Sequence, residues 1–195
     1  MTPLGRPRLR FAPPVDPQQR IRDLACVQLR SGLLDDHAVV LGLTEVAAAE
    51  LEGIDAASFA ERLVADVRKA LSAEQEHWPD CTDYTRLQAA FRQLERVGIV
   101  VLQGVEDHWS TTAELRRLDG DGRCPRGIAW FTAPDVWHAV DHGMLEVNVW
   151  HADTANVAPG DELLAEVLAA FAAHGLSAHF DEGRVEVAAY WQRRV

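Results

Sequence analysis

Lysine is almost absent from this chain of 195 residues: of its 19 basic residues only Lys69 is a lysine, and the others are arginines. Acidic residues number 30, which leaves a formal net charge of -11. Such an excess repels phosphate backbones and anionic headgroups, so nucleic acid and membrane surfaces are not expected partners. It suits a basic protein partner or a small neutral or cationic molecule. Long apolar runs are missing too, and none approaches the roughly 20 residues that cross a bilayer. The opening stretch MTPLGRPRLRFAPPVDP has arginines but no apolar segment of the secretory kind. Residues 1–17 read as a flexible Pro/Arg tail outside the folded domain. Cysteine is scarce, odd in number and scattered: Cys26, Cys81 and Cys124, with no CxxC pair. Reduced thiols and a cytoplasmic location are the expectation. Cys124, in DGRCP, has no neighbouring base in the sequence to make it a nucleophile. The chain has no GxGxxG, P-loop, GxSxG, HExxH or EF-hand pattern, and no basic patch interleaved with aromatics. No cofactor is expected.

What is present is an ordinary globular composition, 48% hydrophobic and 25% charged, long enough to bury a real core. The first half has helical period. Ile21, Leu24, Ala25 and Leu29 share one face, and Val39, Leu43, Val46 and Ala47 another, behind a cap at Asp35 or Asp36. Asp55 caps a third helix with Phe59, Leu63, Val67, Ala70 and Leu71 inward. Thr82 or Asp83 starts a fourth with Leu87, Phe91 and Leu94 inward, ending at Gly98. The second half changes period. Strands are predicted at 98–104, 127–133, 144–152, 176–180 and 185–192, the last two joined by the turn DEGR. Residues 105–125 read as a long polar connection with a short helix at 111–118. Pro134 opens a helix ending at Gly143, and another runs from Pro159 to Gly175. The fold class is therefore α+β. An N-terminal layer of about four helices packs on a C-terminal mixed sheet of about five strands, with two interleaved helices. Residues 18–195 form a single domain, 18–97 its helical part and 98–195 its sheet part.

At TDYTRLQAAFRQLERVGIVV and RGIAWFTAPDVWHAVDHGMLEVNVW the chain resembles an uncharacterised bacterial family, a domain of unknown function. The likeness runs from about residue 18 to the C-terminus. It rests on an RLxAAFxxLExxGIV helix-to-strand segment, an Arg-Gly strand opening, an Asp-x-x-x-Ala-Val-acid helix and a Gly turn. Members often carry a Cys-Cys-x-x-Cys cluster after the first strand. Here Asp107, His108, Trp109, Ser110 and Thr111 stand in that stretch, without a thiol. Members also tend to end the second strand on His, where this chain has Thr132.

The densest polar stretch is HAVDHGMLEVNVWHAD, 138–153. His138 and His142 are four apart on a helix, the spacing of a zinc pair. The helical wheel puts both opposite the apolar side made by Val136, Ala139 and Val140, which favours exposed histidines near a helix C-terminus. In the following strand Leu145, Val147, Val149 and His151 face one way, and Met144, Glu146, Asn148 and Trp150 the other. In the last strand Glu186 and Tyr190 share a face. With matched register these residues line a polar, aromatic-edged surface. That surface is either a ligand site or the wet side of an antiparallel sheet. On the first alternative Glu146 is the acid/base. Tyr190, Asn148 and Trp150 orient the ligand, and His108 and Trp109 form a lid from the long connection. The leading expectation is a small acidic binding or interaction protein, adapting or neutralising a basic protein partner. A small-molecule binder or acid/base enzyme on the sheet face comes second. A divalent-metal protein using His138 and His142, or Asp107 and His108, comes third.

Overall fold

The computed structural model describes residues 16–194; all but the last two residues of the Pro/Arg tail lie outside them. Among the described residues seven helices and five strands follow in order: α1 Pro17–Ser31, α2 Asp36–Glu50, α3 Ala56–Gln75, α4 Asp83–Arg96, β1 Ile99–Val105, α5 His108–Gly120, β2 Gly127–Thr132, α6 Ala133–His142, β3 Met144–His151, α7 Glu162–Ala173, β4 Ser177–Asp181 and β5 Arg184–Ala188. The fold is α+β. The helix starts follow from their caps. Asp35, Asp55 and Thr82 each accept a backbone N–H three residues on, from Ala38, Ser58 and Thr85.

The strands form one sheet in the order β1-β2-β3-β5-β4. The β1–β2 pair is parallel and the other pairs are antiparallel. The β4–β5 hairpin turns through Glu182 at φ 43° and Gly183 at φ 91°, the left-handed pair that a two-residue turn demands. Gly127 opens β2 because nothing larger fits. An added Cβ there would lie 2.6 Å from the Trp150 carbonyl oxygen and from Leu163.

Two large cores are built, with a smaller cluster of Leu115, Ile128 and Trp130 on the outer side of the sheet. Leu87, Phe91 and Leu94 of α4 meet Phe131, the inner sides of β3 and β5, and Leu164, Val167 and Phe171 of α7. The α1–α3 helices close a separate cluster around Leu29, Leu43, Ala47, Leu63 and Val67. This bundle meets the sheet half chiefly where α1 packs on α6. The C-terminal segment ties the halves together. Buried Trp191 donates its indole N–H to the Ser31 carbonyl at 3.0 Å. Arg193 donates to the Gly32 carbonyl, and Arg194 donates to the carbonyls of Gln75, Trp78 and Pro79 at the end of α3.

Two sequence expectations change. The connection 105–125 is not mainly loop: α5 fills it from His108, because Asp107 accepts the Ser110 N–H at 2.9 Å and starts the helix. The last strand ends at Ala188 rather than at 192. Beyond it the Ala189 and Trp191 N–H groups bond the carbonyls of Gly143 and Ala139, so the chain leaves the sheet and follows the end of α6.

Candidate functional site

The outer side of the sheet is where sequence placed the candidate residues. Register sets Glu146 opposite Glu186 and Asn148 opposite Arg184, and pairs Asn148 with Trp130 on the other flank. Two carboxylates directly opposite repel. The conflict is resolved locally: Arg184 binds Glu146, and His179 Nε2 lies 3.4 Å from Glu186. Glu146 is thereby held as one partner of a surface ion pair. Trp150 is half-buried and packs edge-on against Trp130 with ring centroids 5.0 Å apart. Leu115 of α5 caps this pair together with Val100, Leu102 and Ile128. The Trp130 indole nitrogen is buried there without a hydrogen-bond partner.

The structure therefore brings together Glu146, Asn148 and Trp150, and leaves the other candidates elsewhere. Tyr190 lies past the end of β5. The last paired residue of β5, Ala188, already stands opposite Met144 and not Glu146. Tyr190 is half-exposed, and its ring covers Gly143, where an added Cβ would meet it at 2.7 Å. Its backbone N–H bonds Asp83. His108 and Trp109 are not a loop lid but the first turn of α5, stacked on each other at 4.5 Å, with Trp109 66% exposed. The Asp107 carboxyl is held below its ordinary range by the Ser110 N–H, which makes it a cap.

His138 and His142 are both exposed on α6, with ring centroids 4.7 Å apart. Among the described residues no three His, Cys, Asp or Glu side chains gather as a metal site. Asp135, the acid in the Asp-x-x-x-Ala-Val-acid stretch, accepts the Thr132 N–H and hydroxyl and so starts α6. Cys26 is half-buried, and burial pushes its thiol up, away from thiolate. Cys81 and Cys124 are exposed.

Three features escaped the sequence reading. His151 Nε2 meets Asp161 Oδ2 at 3.1 Å, while the same carboxylate oxygen takes the Ala158 N–H at 2.7 Å. These bonds close the loop between β3 and α7 and, led by the Ala158 N–H, hold the Asp161 carboxyl below its usual range. Their ten-residue separation gives no periodic signal. A cleft of about 240 Å3 opens at the junction of the two halves, lined by Trp78, Val140, Tyr190, Gln192 and the ion pair Arg30–Glu74. It is assembled from distant parts of the chain. The third feature lies on α2. Leu41 is 53% exposed and Leu34, in the turn before the helix, 48%. The signal was present as a helix apolar on almost every side, VVLGLTEVAAA, which three-helix packing does not fully cover.

The architecture defines a small α+β domain. By comparison of sequence, residues 15–195 match the model of a domain of unknown function, DUF6891, and the chain belongs to that family. No curated protein and no solved structure gives a significant match.

Proposed function

We propose that this is an acidic interaction protein that takes up a basic protein partner on the outer side of the α1–α3 bundle. One observation carries the reading. Leu41 stands exposed on α2 and Leu34 in the turn before it, and among the described residues Glu45, exposed on α2, and Glu52, exposed just past its end, form no ion pair. Exposed leucines near acid that is left unpaired favour a protein contact site, and the acid favours a basic partner. On this reading the protein works in the cytoplasm of a bacterium, as the arginine-rich composition and unpaired cysteines suggest. No described helix is long and apolar enough to cross a membrane.

The test is site-specific photo-crosslinking in the full chain. A crosslinker at Leu41 is expected to trap a basic protein, while one at Ala188, exposed on the sheet side, traps none. Adducts at 188 alone, or at neither position, would remove the proposal.

A second reading, a small-molecule binder, is favoured by the junction cleft. Three aromatic residues, Trp78, Tyr190 and Trp191, an amide and an ion pair converge there. It shifts the ligand from the sheet side, where Arg184 already occupies Glu146, to the surroundings of Tyr190. Quenching of tryptophan fluorescence by a metabolite panel, lost in Trp78→Phe, is the expected sign.

A further inference from the structure

On the outer side of the sheet, under α5, one polar atom is stranded. The Trp130 indole N–H is buried, in a residue only 6% exposed, and nothing among the described residues accepts it. A buried donor without an acceptor costs the folded state the whole of its lost hydration, so such a group calls for an explanation. Water supplies a poor one, because a buried water needs roughly two to four polar partners. The side chains clustered with Trp130 are Leu115, Ile128, Val100, Leu102 and Trp150, all apolar apart from the second indole. An apolar molecule that carries a single acceptor suits these surroundings better than water does.

There is a route to this cluster. A cleft of about 450 Å3 opens between α5, the segment at Cys124 and Pro125, and the loop at Asp153 and Thr154. Leu115 belongs both to the lining of this cleft and to the cluster around Trp130. A leucine moves between staggered rotamers without breaking any backbone hydrogen bond. We propose that the cleft continues past Leu115 as a binding site for a small, flat, uncharged molecule with one carbonyl oxygen, an aromatic ketone or aldehyde in chemical class. Leu115 turns aside, the apolar body lies against half-buried Trp150, and the carbonyl oxygen accepts the Trp130 N–H. A carboxylate or an ammonium ion would have to shed its hydration among apolar side chains, so the site selects against charge. Its floor is Trp130 and Trp150, not Glu146, and it is separate from the junction cleft and from α2. It therefore stands or falls independently of both functional readings above.

The experiment uses the full chain, isotopically labelled for nuclear magnetic resonance, and two probes of nearly one shape. These are acetophenone and α-methylstyrene, which has a methylene group in place of the carbonyl oxygen. Through-space contacts to Leu115 and Ile128 identify the Trp130 indole resonance among those of the six tryptophans without any variant. Acetophenone is expected to move that resonance to lower field and to saturate; α-methylstyrene is not. The ratio of ketone to alkene affinity should fall about tenfold in Trp130→Phe, a change of about 1.4 kcal/mol. In a Cys81→Ser background, a bulky maleimide on exposed Cys124, in the wall of the cleft, should weaken acetophenone binding at least about fivefold.

A Trp130 resonance that neither probe moves, or that both move alike, would overturn the site. An unchanged affinity ratio in Trp130→Phe would overturn the role of the indole N–H. Undiminished binding to the maleimide-blocked protein would overturn entry through this cleft. Shifts confined to Trp78 and Trp191 would overturn the site and put the ketone in the junction cleft instead.

Discussion

The two cores differ in how they are closed. In the sheet half, rings interlock: Phe91 meets Phe131 at 5.6 Å and Phe171 at 6.0 Å, and Phe131 meets Trp191 at 5.8 Å. Its exposed large apolar residues, Val97, Trp109 and Tyr190, stand apart on α4, α5 and the C-terminal segment. The bundle is closed by aliphatic and alanine side chains, with no ring among its fully buried members. Two of its exposed apolar residues, Leu34 and Leu41, lie in the turn before α2 and on α2. A helix pair on one side of a third leaves part of that third uncovered, whereas α4, α6 and α7 fully cover the inner side of the sheet and leave the polar part of its outer side to solvent. The bundle thus leaves two leucines in solvent.

The sharpest break in the comparison is expected from Phe171→Ala. It removes a ring that touches Phe91 in the fully buried center and should cost about 3–5 kcal/mol in chemical denaturation. Leu43→Ala, in the bundle, should cost less, about 2–4 kcal/mol, because smaller neighbours relax into the space. A larger loss for Leu43 than for Phe171 would reverse the ranking of the cores.

Trp191→Phe tests whether the halves unfold together. It keeps a ring but leaves the buried Ser31 carbonyl without its indole donor, a cost of about 1–3 kcal/mol. The expected result is a bundle that melts before the sheet half, seen as non-coincident far- and near-ultraviolet transitions. A single transition at lower denaturant would mean that α1 on α6 suffices to couple them.

Thr82→Ala should cost about 1 kcal/mol by removing the α4 cap. The same hydroxyl bonds the Gln192 carbonyl, so the loss is shared with the C-terminal segment.

The smallest effect is at acid pH. The carboxyls of Asp107, Asp161 and Glu166 in the sheet half, and Asp55 in the bundle, are held below their ordinary values by hydrogen bonds. A carboxyl depressed in the folded state adds stability above its unfolded pKa, and that stability is lost as pH falls through the folded value. Stability should therefore decline below about pH 4. Asp161→Asn should lower stability at neutral pH and flatten that decline. An unchanged acid slope in this variant would show that the His151–Asp161 contact contributes nothing to it.

Much of the fold was legible because its signals are local. Asp35, Asp55 and Thr82 announce three helix starts by side-chain chemistry alone. The alternation of Leu145, Val147 and Val149 announces β3 and which side it buries. The misjudged places needed information from further away. Whether α5 begins at His108 depends on the Asp107 carboxylate turning back to Ser110. Where β5 stops depends on Gly143 and Ala139 offering carbonyls from another element. The site was legible only as a set of outward residues on β3. Tyr190 continues the alternation of β5 on paper, but the strand ends before it.

Sequence alone determined the acidic excess, the order of helices and strands, the capping residues and the apolar faces. Each of these is a property of composition or of a few neighbouring positions. Tertiary structure decided that the helical half holds a core of its own, that Arg184 occupies Glu146, and that Tyr190 belongs to the junction. It also decided that Leu41 stays in solvent. A helical period states which residues share a side, but only the positions of α1 and α3 decide which sides of α2 are covered.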